Sequence, residues 1–224
     1  MADARERLTR LIELANDNAP EKQQALAFEL CDLLSKWPTR YPRAMREPFE
    51  ALLEKVRRHL DAHTRQMIAL RLHADTETAL TLLNEFYLDL PPDLRGPILA
   101  RNAEREADAP AAEITGREVM LVAAARKASG RDLVQAFSQL MGISGSTAQA
   151  VFDDVSGDAL AVACKGSGIS RTTYSTLAVL AGTEASPAAL CGRLAAFDAV
   201  PENGARRMLA HWRRAQSASG ARAA

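Results

Sequence analysis

Apolar residues recur every three to four positions along almost the whole chain, and no segment alternates apolar with polar over a strand's length. This periodicity predicts helices throughout. Leu8, Leu11, Ile12 and Ala15 form one stripe, and Asn18-Ala19-Pro20 stops that helix and starts the next. Ala25, Leu26, Leu30, Leu33 and Leu34 continue to Trp37-Pro38, and a loop is expected over Pro38–Pro42. The pattern resumes through Phe49, Leu52, Leu53, Val56 and Leu60, then breaks at Asp61–His63. Asp75 is placed to cap a helix carrying Ala79, Leu82, Leu83 and Phe86, which Leu90-Pro91-Pro92-Asp93 ends. Ser186-Pro187 pairs a capping hydroxyl with a first-turn proline, ahead of Leu190, Leu194 and Phe197. Ala205, Met208, Leu209 and Trp212 give the last helix an i, i+3, i+4, i+7 stripe.

Short connections between so many helices predict an all-α fold of antiparallel helix hairpins, stacked as a solenoid or gathered into two bundles. The charged, alanine-rich stretch Glu104–Ala112, with Pro110, is the expected boundary. It separates an N-terminal helical-repeat region, residues 1–105, from a C-terminal helical region, residues 112–217, with a frayed tail at 218–224. Two echoes fall in the second region. Gly142-Ile143-Ser144 recurs as Gly168-Ile169-Ser170, each a helix-ending glycine, a buried isoleucine and a serine capping the next helix. Ala125–Gly130 similarly resembles Ala163–Gly168.

The segment Leu60–Leu83 carries Asp61, Arg65, Ala69, Leu72 and Ala79, and it looks like the second helix of a HEAT-like repeat followed by the next unit. With the Gly168-Ile169-Ser170 helix turn, the chain from about Arg5 to Leu180 resembles the alphaproteobacterial family known as domain of unknown function 2336. The resemblance implies HEAT-like helical repeats and a cytoplasmic bacterial protein. It implies no activity and no site residues.

Composition narrows the function classes. The 224 residues carry 28 Lys+Arg against 28 Asp+Glu, whereas a dedicated nucleic-acid binder usually has a marked basic excess. The N-terminus lacks the apolar core of a signal peptide, and the longest apolar runs are too short for a bilayer, so a cytoplasmic protein without membrane contact is expected. Cys31, Cys164 and Cys191 are widely spaced and form no C-x-x-C pair, so they read as buried, reduced thiols. His59 and His63 have metal-pair spacing but no H-E-x-x-H, and Asp61 between them marks a helix break. Lys165-Gly166-Ser167-Gly168 lacks P-loop spacing, and a plain interhelical turn accounts for its glycines. Asp153-Asp154 reads as a solvated helix end rather than an acid–base pair. No catalytic residue, metal or cofactor is expected.

Two segments, Leu133–Val151 and Leu160–Leu177, have the outline of helix-turn-helix units. In the second, Ser170, Arg171, Thr172, Thr173 and Ser175 would face a groove, while Tyr174 and Leu177 would face the core. Arg206, Arg207, Arg213 and Arg214 cluster on the last helix, where they would meet an acidic partner or simply face solvent. The expected function is a non-enzymatic helical-repeat interaction or scaffold protein that binds another protein. The alternative is a DNA-associated regulator using residues 160–177.

Overall fold

The computed structural model describes residues 2–17, 19–37, 42–75, 78–104, 118–126, 130–181 and 186–220. Among the described residues every regular element is helical. None of these helices is long and apolar enough to cross a membrane. The chain divides into two units, Met1–Pro91 and Pro92–Ala224. The first holds α1 (Ala2–Ala15), α2 (Pro20–Ser35), α3 (Glu47–Arg57), α4 (Ala62–His73) and α5 (Leu80–Glu85). The second holds α6 (Gly96–Ala103), α7 (Glu118–Arg126), α8 (Gly130–Met141), α9 (Gly145–Asp153), α10 (Asp158–Gly166), α11 (Arg171–Ala181), α12 (Pro187–Ala199) and α13 (Glu202–Gly220). Residues 105–112, the expected boundary, lie outside the described residues, as do residues 38–41 and 221–224. Residues 127–129 do too, so the echo between 125–130 and 163–168 is left without a structural counterpart.

In the first unit α2 is the hub, packing on α1, α3 and α4 through fully buried Leu26, Leu30 and Leu34. Asp61 starts α4 as its N-cap, its Oδ1 accepting the Thr64 N–H at 2.8 Å. Asp75 departs from expectation. Ala79 takes the N-cap position of α5, and the Asp75 carboxylate instead meets the Arg46 guanidinium at 2.6 Å. Arg46 is only 3% exposed and also pairs with Glu50 at 2.8 Å, so the acid serves a buried cation that needs neutralising.

The same local design occurs in the second unit. A 3₁₀ turn (Arg43–Met45, Pro92–Leu94) leads into a buried arginine (Arg46, Arg95), and a proline in the first helical turn follows (Pro48, Pro97). Arg95 pairs with Asp154 at 2.9 Å, both side chains being 6% exposed. Asp154 was expected at a solvated helix end. Its carboxylate also accepts the Ala159 N–H at 2.9 Å, so it starts α10 and neutralises Arg95 together.

The second unit is built around α10, in which Ala159–Cys164 are all buried. Its small side chains let α13 lie close along it, and α13 also packs on α6. A Cβ at Gly166 would fall 2.5 Å from the Ala205 carbonyl oxygen, and one at Gly204 would fall 2.4 Å from that of Leu99. Both obstacles are backbone, so no side-chain rotation relieves them. Ala205, Met208, Leu209 and Trp212, the predicted stripe, are buried.

Gly166→Ala or Gly204→Ala should therefore lower stability by about 1–3 kcal/mol, read from the urea unfolding midpoint. Gly192→Ala is the control: it lies within α12, and a Cβ there meets nothing within 4 Å. That change should be neutral or stabilising by about 0.5–1 kcal/mol through helix propensity.

Candidate functional site

The two Gly-Ile-Ser hairpins form as the sequence predicts. Gly142 and Gly168 adopt φ of 67° and 77°, the left-handed region in which a Cβ is penalised. The isoleucine N–H then reaches back to the preceding helix, Ile143 to the Ser138 carbonyl at 3.1 Å and Ile169 to that of Cys164 at 2.9 Å. Ile143 and Ile169 are buried. Ser144 caps α9 by accepting the Thr147 N–H at 3.0 Å, and Ser170 caps α11 by accepting that of Thr173 at 3.3 Å. Tyr174 and Leu177 face the core as expected, and the Tyr174 hydroxyl donates to the Arg193 carbonyl. Ser167 is buried within the second turn, its hydroxyl donating to the Ala163 and Cys164 carbonyls at 2.8 and 2.9 Å.

The groove-facing candidates on α11 are largely engaged by neighbouring helices. Glu118, at the start of α7, accepts the Ser170 N–H at 3.1 Å and the Ser170 hydroxyl at 2.8 Å. Its carboxylate also takes the hydroxyl of Thr173, which is buried. Partial burial works to raise the Glu118 carboxyl, but the hydrogen bonds from Thr173 and Ser170 outweigh it and hold the group below the ordinary glutamate value. Arg171 forms a two-pronged ion pair with Asp198 of α12, Nε to Oδ1 at 2.9 Å and one terminal nitrogen to Oδ2 at 2.7 Å. Both residues are exposed, and these bonds hold the Asp198 carboxyl below its usual range. Thr172 is exposed, and Ser175 is half-buried beside Thr176, Val179 and Leu180 in a shallow groove that Arg126 of α7 also lines.

The arginines of α13 do not act together. Arg206 pairs with Glu202 one turn earlier. Arg213 turns inward, its Nε donating to the Met141 carbonyl at 2.6 Å, and burial lowers its pKa. Arg207 is half-buried and Arg214 exposed. Lys165 is likewise spent on structure, its Nζ donating to the Phe197 carbonyl at 2.8 Å at the end of α12.

His59 follows α3 while His63 lies in the first turn of α4, with Asp61 capping between them, so the two do not share one helix face. Among the described residues no group of three His, Cys, Asp or Glu side chains could hold a metal ion. Cys31 and Cys164 are buried, burial pushing the Cys31 thiol up to about 11 and the Cys164 thiol higher still. Cys191 corrects the expectation of three buried thiols: it lies on the exposed side of α12.

The family model described as an uncharacterised protein conserved in bacteria (DUF2336) matches residues 44–211. The chain belongs to this family. No curated protein and no solved structure matches the chain. The matched region of this DUF2336 member takes in the buried Arg46 and Arg95 and both Gly-Ile-Ser hairpins.

Sequence reading missed the buried cations because arginine is ordinarily a surface residue. A usable signal was present in the paired Arg46-Glu47-Pro48 and Arg95-Gly96-Pro97, since proline in the first turn fixes where each arginine sits.

Beside the Arg95–Asp154 pair, burial raises the carboxyl of Asp158 above its ordinary value, with the nearby Asp154 charge adding to the effect. A carboxyl raised in the folded state favours folding while protonated, and that contribution is lost as the pH rises through the folded pKa. Asp158→Asn should therefore remove part of the fall in stability between acid and neutral pH. Urea midpoints measured across that range in both proteins check it, and identical pH profiles would contradict it.

Proposed function

We propose that this protein is a non-enzymatic helical interaction protein of the cytoplasm, and that it binds another protein through the outer face of α7 and α8. The observation that carries this reading is a pair of large apolar side chains left in solvent. Val119 and Met120 stand side by side at the start of α7, 75% and 73% exposed. Beside them lies a cleft of about 250 Å³ lined by Met120, Leu121, Ala136, Gln139 and Leu140. Covering such a surface releases roughly 25 cal/mol per Å² of apolar area, which favours a partner with a complementary apolar face. The groups that would otherwise suggest chemistry have structural duties. Asp154 neutralises Arg95 and caps α10, Glu118 bonds to the first turn of α11, and the Cys164 thiol is buried in the α10 core.

Affinity purification from the native host tests this reading, with wild-type protein and a Val119→Asp/Met120→Glu double variant as baits. Proteins retained by wild type should fall about tenfold or more with the variant, the scale expected for truncating a central contact. Equal recovery by both baits, with helix content unchanged by circular dichroism, would reject this face as the binding surface.

The DNA-associated alternative has less support, because Ser170 and Thr173 are engaged by Glu118, and Arg171 by Asp198. A groove-reading helix needs those side chains free to reach phosphate and base edges. Binding to duplex DNA at physiological salt should not exceed that of a neutral control protein. Tight binding that weakens steeply with salt, and that Arg171→Ala abolishes, would reverse the ranking.

A further inference from the structure

We propose that α7 is a displaceable latch: it docks against the first turn of α11 through the Glu118 carboxylate and opens as a unit while the α10–α13 core stays folded. The proposal concerns a motion of this chain alone, so it stands or falls independently of any binding partner.

The first support is how little of α7 is anchored. Leu121 is buried, whereas Val119, Met120, Ala123 and Arg126 are exposed and the remaining side chains are half-buried. By contrast α10, an element of equal length, buries Ala159–Cys164 and Gly166. Local opening costs least where few apolar contacts are lost, so α7 belongs at the low end of the stability range and α10 near the global value. A helix as short as Glu118–Arg126 is also marginal in water by itself, so it depends on docking to remain helical.

The second support is the kind of contact that holds α7 to α11. Glu118 accepts from the Ser170 N–H, the Ser170 hydroxyl and the Thr173 hydroxyl, all in the first turn of α11 or its cap. These are hydrogen bonds to an ionised group at a helix N-terminus, where the exposed N–H dipoles favour negative charge. Unlike a packed core, such a clasp is readily exchanged for water, because Ser170 and the start of α7 are solvent-accessible. The core does not rely on it. Ser170 still caps α11 through Thr173 when Glu118 is away, and the close contacts at Gly166 and Gly204 belong to α6, α10 and α13. Opening would uncover Thr173 and the α7-facing side of the Ser175–Val179 groove.

Hydrogen exchange read by mass spectrometry on the full chain tests the latch. In wild type, amides of residues 118–126 should exchange much faster than those of 158–166. Glu118→Ala should speed exchange in 118–126 and at the cap and first turn of α11 by about tenfold and lower the urea midpoint modestly, since the clasp is absent from the open and the unfolded chain alike, while 118–126 stays much faster than 158–166. Leu121→Ala should also speed exchange in 118–126 while leaving the carboxylate in place. The latch is rejected if wild-type α7 exchanges no faster than α10. It is equally rejected if Glu118→Ala leaves exchange in 118–126 unaltered, or if 118–126 and 158–166 then exchange at the same rate.

Discussion

The second unit depends on backbone meeting backbone. At Gly166 and Gly204 the main chain of α13 comes so close to α10 and α6 that a single methyl group would strike a carbonyl oxygen. That approach sets the depth at which α13 lies, and with it the burial of Ala205, Met208, Leu209 and Trp212. Once α13 is seated, Arg213 reaches the Met141 carbonyl at the end of α8, and Lys165 of α10 closes the end of α12. Small residues along α10 serve the same end, since Ala159, Ala161 and Ala163 leave room for the neighbouring helices.

Buried cations give both units a second constraint. Arg46 and Arg95 each follow a 3₁₀ turn and precede a first-turn proline, and each is neutralised by carboxylates from further along the chain. Leaving such a cation unpaired would cost several kcal/mol, so the pairs fix the placement of the segments carrying Asp75 and Asp154. Asp89 has a similar duty in the first unit, accepting from Arg57 at 2.8 Å and Arg65 at 2.9 Å. Many of the polar residues that looked available for chemistry are thus consumed by the fold.

Apolar surface left uncovered includes the start of α7. The helix turns its apolar Val119 and Met120 to solvent, packs on α8 and α11, and clasps the first turn of α11 with the Glu118 carboxylate. A surface that is apolar and lightly anchored suits both recognition and movement, because neither requires the core to be disturbed.

The sequence by itself determined the helices, their starts and their turns, because these are local matters. Apolar spacing made the stripes, Asp61, Ser144 and Ser186 supplied side-chain oxygens to neighbouring N–H groups, and Gly142 and Gly168 supplied the left-handed turns. The family resemblance read along the same stretch is shown by the match to residues 44–211. Tertiary structure decided which groups were spent. Asp75 had the right spacing for a cap, but a buried guanidinium outcompetes an exposed N–H for a carboxylate. Arg171, Ser170 and Thr173 had the look of a reading surface, yet Asp198 and Glu118, distant in sequence, occupy them. Nor could the stripe of Ile98 and Leu99 announce that α6 packs with α13, since an apolar face specifies burial and not the partner that provides it.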